Sequence, residues 1–148
     1  MNKKEVAAIL EEIATLLELK GENPFKSRAY SAGARAVESL DEDLHVVIAE
    51  NRLRDIKGIG EGLAQKISEL MHTGHLAYYE ELKKEIPESL RDMLRIPGLG
   101  PKKIKALHEQ LGISTIGELE YACHEHRLLD LPGFGAKSQE KVLQGISF

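Results

Sequence analysis

Three short stretches, Ile56-Lys57-Gly58-Ile59-Gly60, Ile96-Pro97-Gly98-Leu99-Gly100 and Leu131-Pro132-Gly133-Phe134-Gly135, repeat one pattern: apolar, variable, glycine, apolar, glycine. The first and second lie 40 residues apart and the second and third 35. Spacing of this order marks a repeated supersecondary unit. Each copy runs directly into an amphipathic stretch: Leu63, Ile67 and Leu70, then Ile104, Leu107 and Leu111, then Val142 and Ile146. Apolar residues three and four apart predict a helix with one buried face. The glycines allow positive φ and close backbone approach. The first N–H groups of a helix have no partner within it, and the helix dipole places partial positive charge there. A single turn of this kind is the ordinary joint between two helices. Three copies in one apolar frame point to anion sites suited to phosphate. Lys66, then Lys102 and Lys103, then Lys137 add positive charge in the helices that follow.

The rest of the chain is also helical in pattern. Val6, Ile9, Leu10, Ile13, Leu16 and Leu17 share one face, Asn2 with Glu5 forms a capping box, and Gly21 ends the helix. Asn23-Pro24 starts a second helix, expected to run to about Leu40. A third is expected with Asp41 as its cap and Leu44, Val47 and Ile48 inward. Further helices are expected over Tyr78–Ile86, Ser89–Leu94 and Thr115–His124, with Gly74 and Gly112 at helix ends. No strand pattern is left. The fold class is therefore all-α, built of short helices.

Composition narrows the function. Aromatic residues make up 5% of the 148 positions and there is no Trp, which disfavours a β-sandwich or barrel. No apolar run approaches the roughly 20 residues that span a bilayer, and the first apolar stretch contains acids, unlike a signal peptide. The single cysteine, Cys123, cannot form an internal disulfide, so a reducing cytoplasm is the expected location. Net charge is −4, from 20 Lys and Arg against 24 Asp and Glu, which argues against coating nucleic acid by bulk attraction. Local charge differs from the sum. Pro24–Val37, with Lys26, Arg28 and Arg35, contains no acid, and neither does Met93–His108, with Arg95, Lys102, Lys103 and Lys105.

The three turns resemble helix-hairpin-helix motifs, which bind DNA backbones without reading sequence. Glu18-Leu-Lys-Gly-Glu-Asn-Pro-Phe-Lys26, Arg28-Ala-Tyr30 and Arg95-Ile-Pro-Gly-Leu-Gly-Pro-Lys-Lys103 extend the resemblance over nearly the whole chain to the N-terminal portion of bacterial family X DNA polymerases. The resemblance implies a small, lyase-type domain with the first motif over 1–84. A duplex-binding subdomain with the second and third motifs would follow over 85–148. It implies binding to gapped or nicked duplex DNA with a 5′-phosphate, in base excision repair, by a monomer. The phosphate set it implies is Lys26, Arg28, Tyr30, Gly58, Gly60, Gly62, Gly98, Gly100, Lys102, Lys103, Gly133, Gly135 and Lys137. It also implies K⁺ or Na⁺ on the backbone carbonyls of Arg54, Ile56 and Ile59, and of Leu94, Ile96 and Leu99. The catalytic palm of the family, with its Mg²⁺-binding aspartates, would follow Phe148. This stretch is therefore expected not to polymerise, and to be a piece of a longer polymerase or a natural stand-alone protein.

Two alternatives stay open. In the animal relatives the small domain removes a 5′-deoxyribose phosphate through a lysine Schiff base, and the first motif places Lys66 at the nucleophile position. Such chemistry needs an amine of lowered pKa. A second lysine of the relatives' pocket is Gly62 here, with Glu61 beside it, which weakens that reading. The other alternative is a protein-interaction module, which the net charge permits. The remaining clusters are expected to be structural. Asp41-Glu42-Asp43 reads as a cap with solvated acids, and Cys123, His124 and His126 as an inward thiol and surface imidazoles. Tyr78-Tyr79 reads as half core and half surface, with base stacking as the competing role.

Overall fold

The computed structural model describes residues 1–147. Among these there are nine α-helices and no strand. The chain separates into two compact units, Met1–Lys84 and Glu85–Phe148. The first holds α1 (Lys3–Lys20), α2 (Pro24–Glu38), α3 (Leu44–Ala49) and α4 (Glu61–Thr73), with α5 (Ala77–Glu85) at its end. The second holds α6 (Glu88–Met93), α7 (Pro101–Leu111), α8 (Ile116–His124) and α9 (Ala136–Ile146). No helix among the described residues is long and apolar enough to cross a membrane.

Local chemistry sets the joints of the first unit. Asn2 Oδ1 accepts from the Glu5 N–H at 2.9 Å, and the Glu5 carboxylate accepts from the Asn2 N–H at 3.2 Å, so both halves of the capping box are made. Gly21, at φ 87°, ends α1, and the Glu22 N–H reaches back to the Leu17 carbonyl at 3.0 Å, a Schellman closure. Asn23 caps α2 two residues later through the Phe25 N–H at 2.9 Å. The two helices then pack against each other, and Val6, Leu10, Ile13 and Leu17 of α1 and Tyr30, Ala34 and Val37 of α2 are buried. Each such Leu or Ile contributes roughly 1.5–3 kcal/mol by leaving water. Gly33 lets α2 approach α4, because a Cβ there would fall 2.1 Å from Leu63 Cδ2. The first turn is thus pressed onto α2.

Asp43, not Asp41, caps α3: its carboxylate accepts from the His45 N–H at 2.8 Å. The helix starts at Leu44, so the acid directly before it holds the cap position, while Glu42 instead accepts from both Nη atoms of Arg52, at 2.6 and 2.9 Å. Leu44 and Val47 are buried and Ile48 is half-buried. Helix α2 stops at Glu38, two residues short of the expected end. No group of metal-ligating side chains forms among the described residues, at Asp41–Asp43 or at Cys123–His126. Cys123 is buried and both histidines are exposed.

The second unit is built on Met93, Ile104, Leu107, Ile113, Leu119 and Leu128, all buried. Thr115 caps α8 through the Glu118 N–H at 3.0 Å. Leu111 and Ile146, placed by the pattern on buried faces, are half-buried. The helices before the first and third turns are single 3₁₀ turns, Leu53–Asp55 and Arg127–Asp130.

Candidate nucleic-acid interface

The three turns have one geometry. Ile59 N–H donates to the Ile56 carbonyl at 3.1 Å, Leu99 N–H to Ile96 at 3.1 Å, and Phe134 N–H to Leu131 at 3.3 Å. Gly58, Gly98 and Gly133 take φ of 97°, 87° and 86°. Lys57, Pro97 and Pro132 stand before them. A bond from residue i+3 to residue i with positive φ at i+2 is a type II turn, which favours Pro and then Gly at its centre. In each case the second apolar residue is buried and anchors the turn.

The second glycines answer to no such constraint. Gly60, Gly100 and Gly135 have φ of −84°, −96° and −119°, open to any residue. A Cβ on any of them would meet nothing within 4 Å. Each is the N-cap of the helix that follows, and none of α4, α7 and α9 has a side-chain cap. By contrast α1, α2, α3 and α8 are capped by Asn2, Asn23, Asp43 and Thr115, while the six-residue α6, entered through Pro87, also has no side-chain cap. Three sets of unpaired N–H groups therefore face open ground, with the helix dipole behind them. Gly62, in the first turn of α4, is exposed and unobstructed as well.

The basic residues gather unequally around these N-termini. Lys102 is exposed at the start of α7, and Lys103 is half-buried with its Nζ 5.3 Å from the centre of the Phe134 ring. That contact links the second turn's helix to the third turn. Lys137 is exposed in the first turn of α9. At the first turn, Arg54 Nη2 lies 3.4 Å from Glu61 Oε1, so an ion pair flanks the start of α4.

A second cluster forms in the first unit. The rings of Tyr30 and Tyr78 stack, 5.9 Å apart and 4° from parallel. Lys66 Nζ lies 5.0 Å from the centre of the Tyr78 ring and Lys26 Nζ 5.7 Å. Lys26, Tyr30 and Lys66, singled out from the sequence on two separate segments, thus meet around Tyr78. Burial, and then the neighbouring Tyr78, push the Tyr30 hydroxyl well above the ordinary tyrosine range. It stays protonated. Arg28 does not join the cluster: its Nε donates to the Pro24 carbonyl at 3.2 Å and its guanidinium lies 4.9 Å from the centre of the Phe25 ring. Tyr78 and the highly exposed Phe25 (75%) were not in the set taken from the sequence. An aromatic amid the bases of Pro24–Val37 was the available signal for Phe25; no local pattern singles out Tyr78 for the lysines.

Residues 1–76 match the helix-hairpin-helix domain family, and residues 90–147 match the SAM-like helix-hairpin-helix tandem family. Over 146 residues the chain is 40% identical to the DNA polymerase/3′-5′ exonuclease PolX of Bacillus subtilis (strain 168), which covers 99% of this chain and 25% of that protein. The matched part is N-terminal in that family X polymerase. Two DNA ligases, from Synechococcus sp. strains JA-3-3Ab and JA-2-3B'a(2-13), are each 41% identical over 56 residues, 38% of this chain and 8% of the ligase. The chain therefore spans a quarter or less of the length of these relatives. With three turns of one geometry and a family match over more than half its length, the chain belongs to the helix-hairpin-helix domain family.

Proposed function

We propose that this chain grips DNA through backbone phosphates, without reading bases, as the N-terminal part of a repair polymerase. We propose further that it favours gaps presenting a 5′-phosphate. The observation that carries the reading is the set of three uncapped helix N-termini behind glycines that neither backbone angle nor packing requires. Anion binding uses such ground directly. Contacts of this kind fix position and carry no sequence information. Lys26, Lys66 and the Tyr30–Tyr78 stack supply the positive, hydrogen-bonding surface for a terminal phosphate.

The residues also suit the K⁺ or Na⁺ that the resemblance implies. The turn bonds use the Ile56 and Ile96 carbonyls once each, leaving a second lone pair on each oxygen. With the Arg54, Ile59, Leu94 and Leu99 carbonyls they would offer hard oxygen ligands, which alkali cations prefer. Such an ion would add positive charge beside the phosphate site.

The test is fluorescence anisotropy at fixed moderate salt with three DNAs: a one-nucleotide-gapped duplex with a 5′-phosphate, the same gap without it, and intact duplex. Tightest binding to the phosphorylated gap is expected. Equal binding to all three would remove the gap preference and keep the backbone grip. No binding to any would overturn the DNA reading and favour a protein-interaction module.

The convergence of Lys26 and Lys66 on Tyr78 favours a second reading, an abasic-sugar lyase with Lys66 as Schiff-base nucleophile. Borohydride reduction of the imine on abasic DNA should then trap a covalent adduct that Lys66→Ala abolishes. Trapping by neither protein would sink the lyase, and equal trapping by both would remove Lys66 as its nucleophile.

A further inference from the structure

Because the three turns share one frame, their flanks compare position by position. Two residues before the first apolar residue stand Arg54, Leu94 and Leu129. At the first helical position after the second glycine stand Glu61, Pro101 and Ala136. The second and third turns thus carry uncharged side chains at both positions. Only the first carries a charge at each, and the two charges meet at 3.4 Å. Both partners are exposed, at 52% and 70% of their side-chain surface, so the pair is open to competition from a solute. The acid stands at the positive end of α4, the end a phosphate would seek. Its carboxylate repels that phosphate and engages Arg54, a cation that would otherwise attract it.

We infer that Glu61 is an affinity-limiting residue: the Arg54–Glu61 pair is a latch that makes the first hairpin the weakest of the three phosphate sites. The inference rests on the DNA-binding reading above. An arriving phosphate has to draw Arg54 from the carboxylate and to tolerate Glu61 nearby. The second and third turns impose neither condition. Grip on DNA is therefore graded, firm at the two turns of the second unit, which carry no such acid, and yielding at the first, where Glu61 offsets the charge of Lys57. A like charge at a surface site is screened by salt, so the penalty is largest at low ionic strength.

Two substitutions of opposite sign test this in the full 148-residue chain. Glu61→Gln removes the acid. Ala136→Glu introduces one at the matching position of the third turn. Acids favour the first turn of a helix, so Glu61→Gln should melt slightly lower than the parent and Ala136→Glu slightly higher. DNA affinity should move the other way in each case, which separates the latch from a general effect on folding. With the phosphorylated one-nucleotide gap as probe, Glu61→Gln should bind about two- to five-fold tighter and Ala136→Glu weaker by a similar factor, the scale of single surface charge interactions. The Glu61→Gln gain should shrink as salt is raised. Binding by the parent with no gain in Glu61→Gln would overturn the latch and leave the phosphate reading standing. No binding by any of the three proteins would overturn both.

Discussion

At Gly98 the backbone holds φ at 87°, a region where any L side chain is strained. Two residues on, Gly100 is extended at φ −96° with open space where a Cβ would be. Serine at the two positions should therefore do opposite things. Gly98→Ser is expected to cost about 1–2 kcal/mol of stability, from the left-handed conformation. Gly100→Ser places a good N-cap on α7 and should leave stability unchanged or raise it by a few tenths of a kcal/mol. Its hydroxyl would occupy the N–H groups that a phosphate needs, so DNA affinity should fall. Urea melts and anisotropy on both variants check the pair; a Gly100→Ser protein that binds as well as the parent contradicts phosphate capture at α7. The sequence displays both glycines as one repeated motif. It does not display that one serves the turn and the other the approach of a ligand, because that difference lies in φ and in the surrounding space.

Among the elements, the second and third turns are joined by Lys103 over the Phe134 ring. Isoleucine and leucine hold the matching positions of the other two turns, at Ile59 and Leu99, so the aromatic is not needed to anchor a turn. It holds a half-buried lysine at the start of α7, at the scale of about 0.5–1 kcal/mol for an exposed cation on a ring. Phe134→Leu should keep the fold and lose about two-fold or more in DNA affinity, while Phe134→Tyr should restore it. Equal binding by all three would make the ring packing alone. Most helices are legible in the sequence because their signals are local: the Asn2–Glu5 box, Asn23-Pro24 and Thr115 each act within three or four residues. Asp41 and Asp43 are both good cap residues two positions apart, so residue type alone does not show which of them the helix start at Leu44 takes. The meeting of Lys26 and Lys66 at Tyr78 joins α2, α4 and α5. It depends on how three helices pack, which no local spacing records.

For the molecule as a whole, net charge is a poor guide. The sum is −4, yet Met93–His108, which contains the second turn, has no acid at all. Contact at one phosphate per hairpin would give a plot of log affinity against log salt with a slope of about −3, since each neutralised phosphate contributes about −0.9. A slope several units steeper would mean that many more phosphates are engaged and that the hairpins are not the main grip. The two-unit organisation has a practical side as well. The chain has one cysteine, and it is buried in α8 of the second unit. Burial raises the Cys123 thiol above its usual range, with Glu120 adding to the effect, so little thiolate is exposed in the closed unit. An alkylating reagent is expected to reach it through opening around α8, and opening confined to Met1–Lys84 leaves no thiol mark. The rate of alkylation is thus a clock for one half of the molecule, and its slowing on any added ligand reports that this half has been held shut.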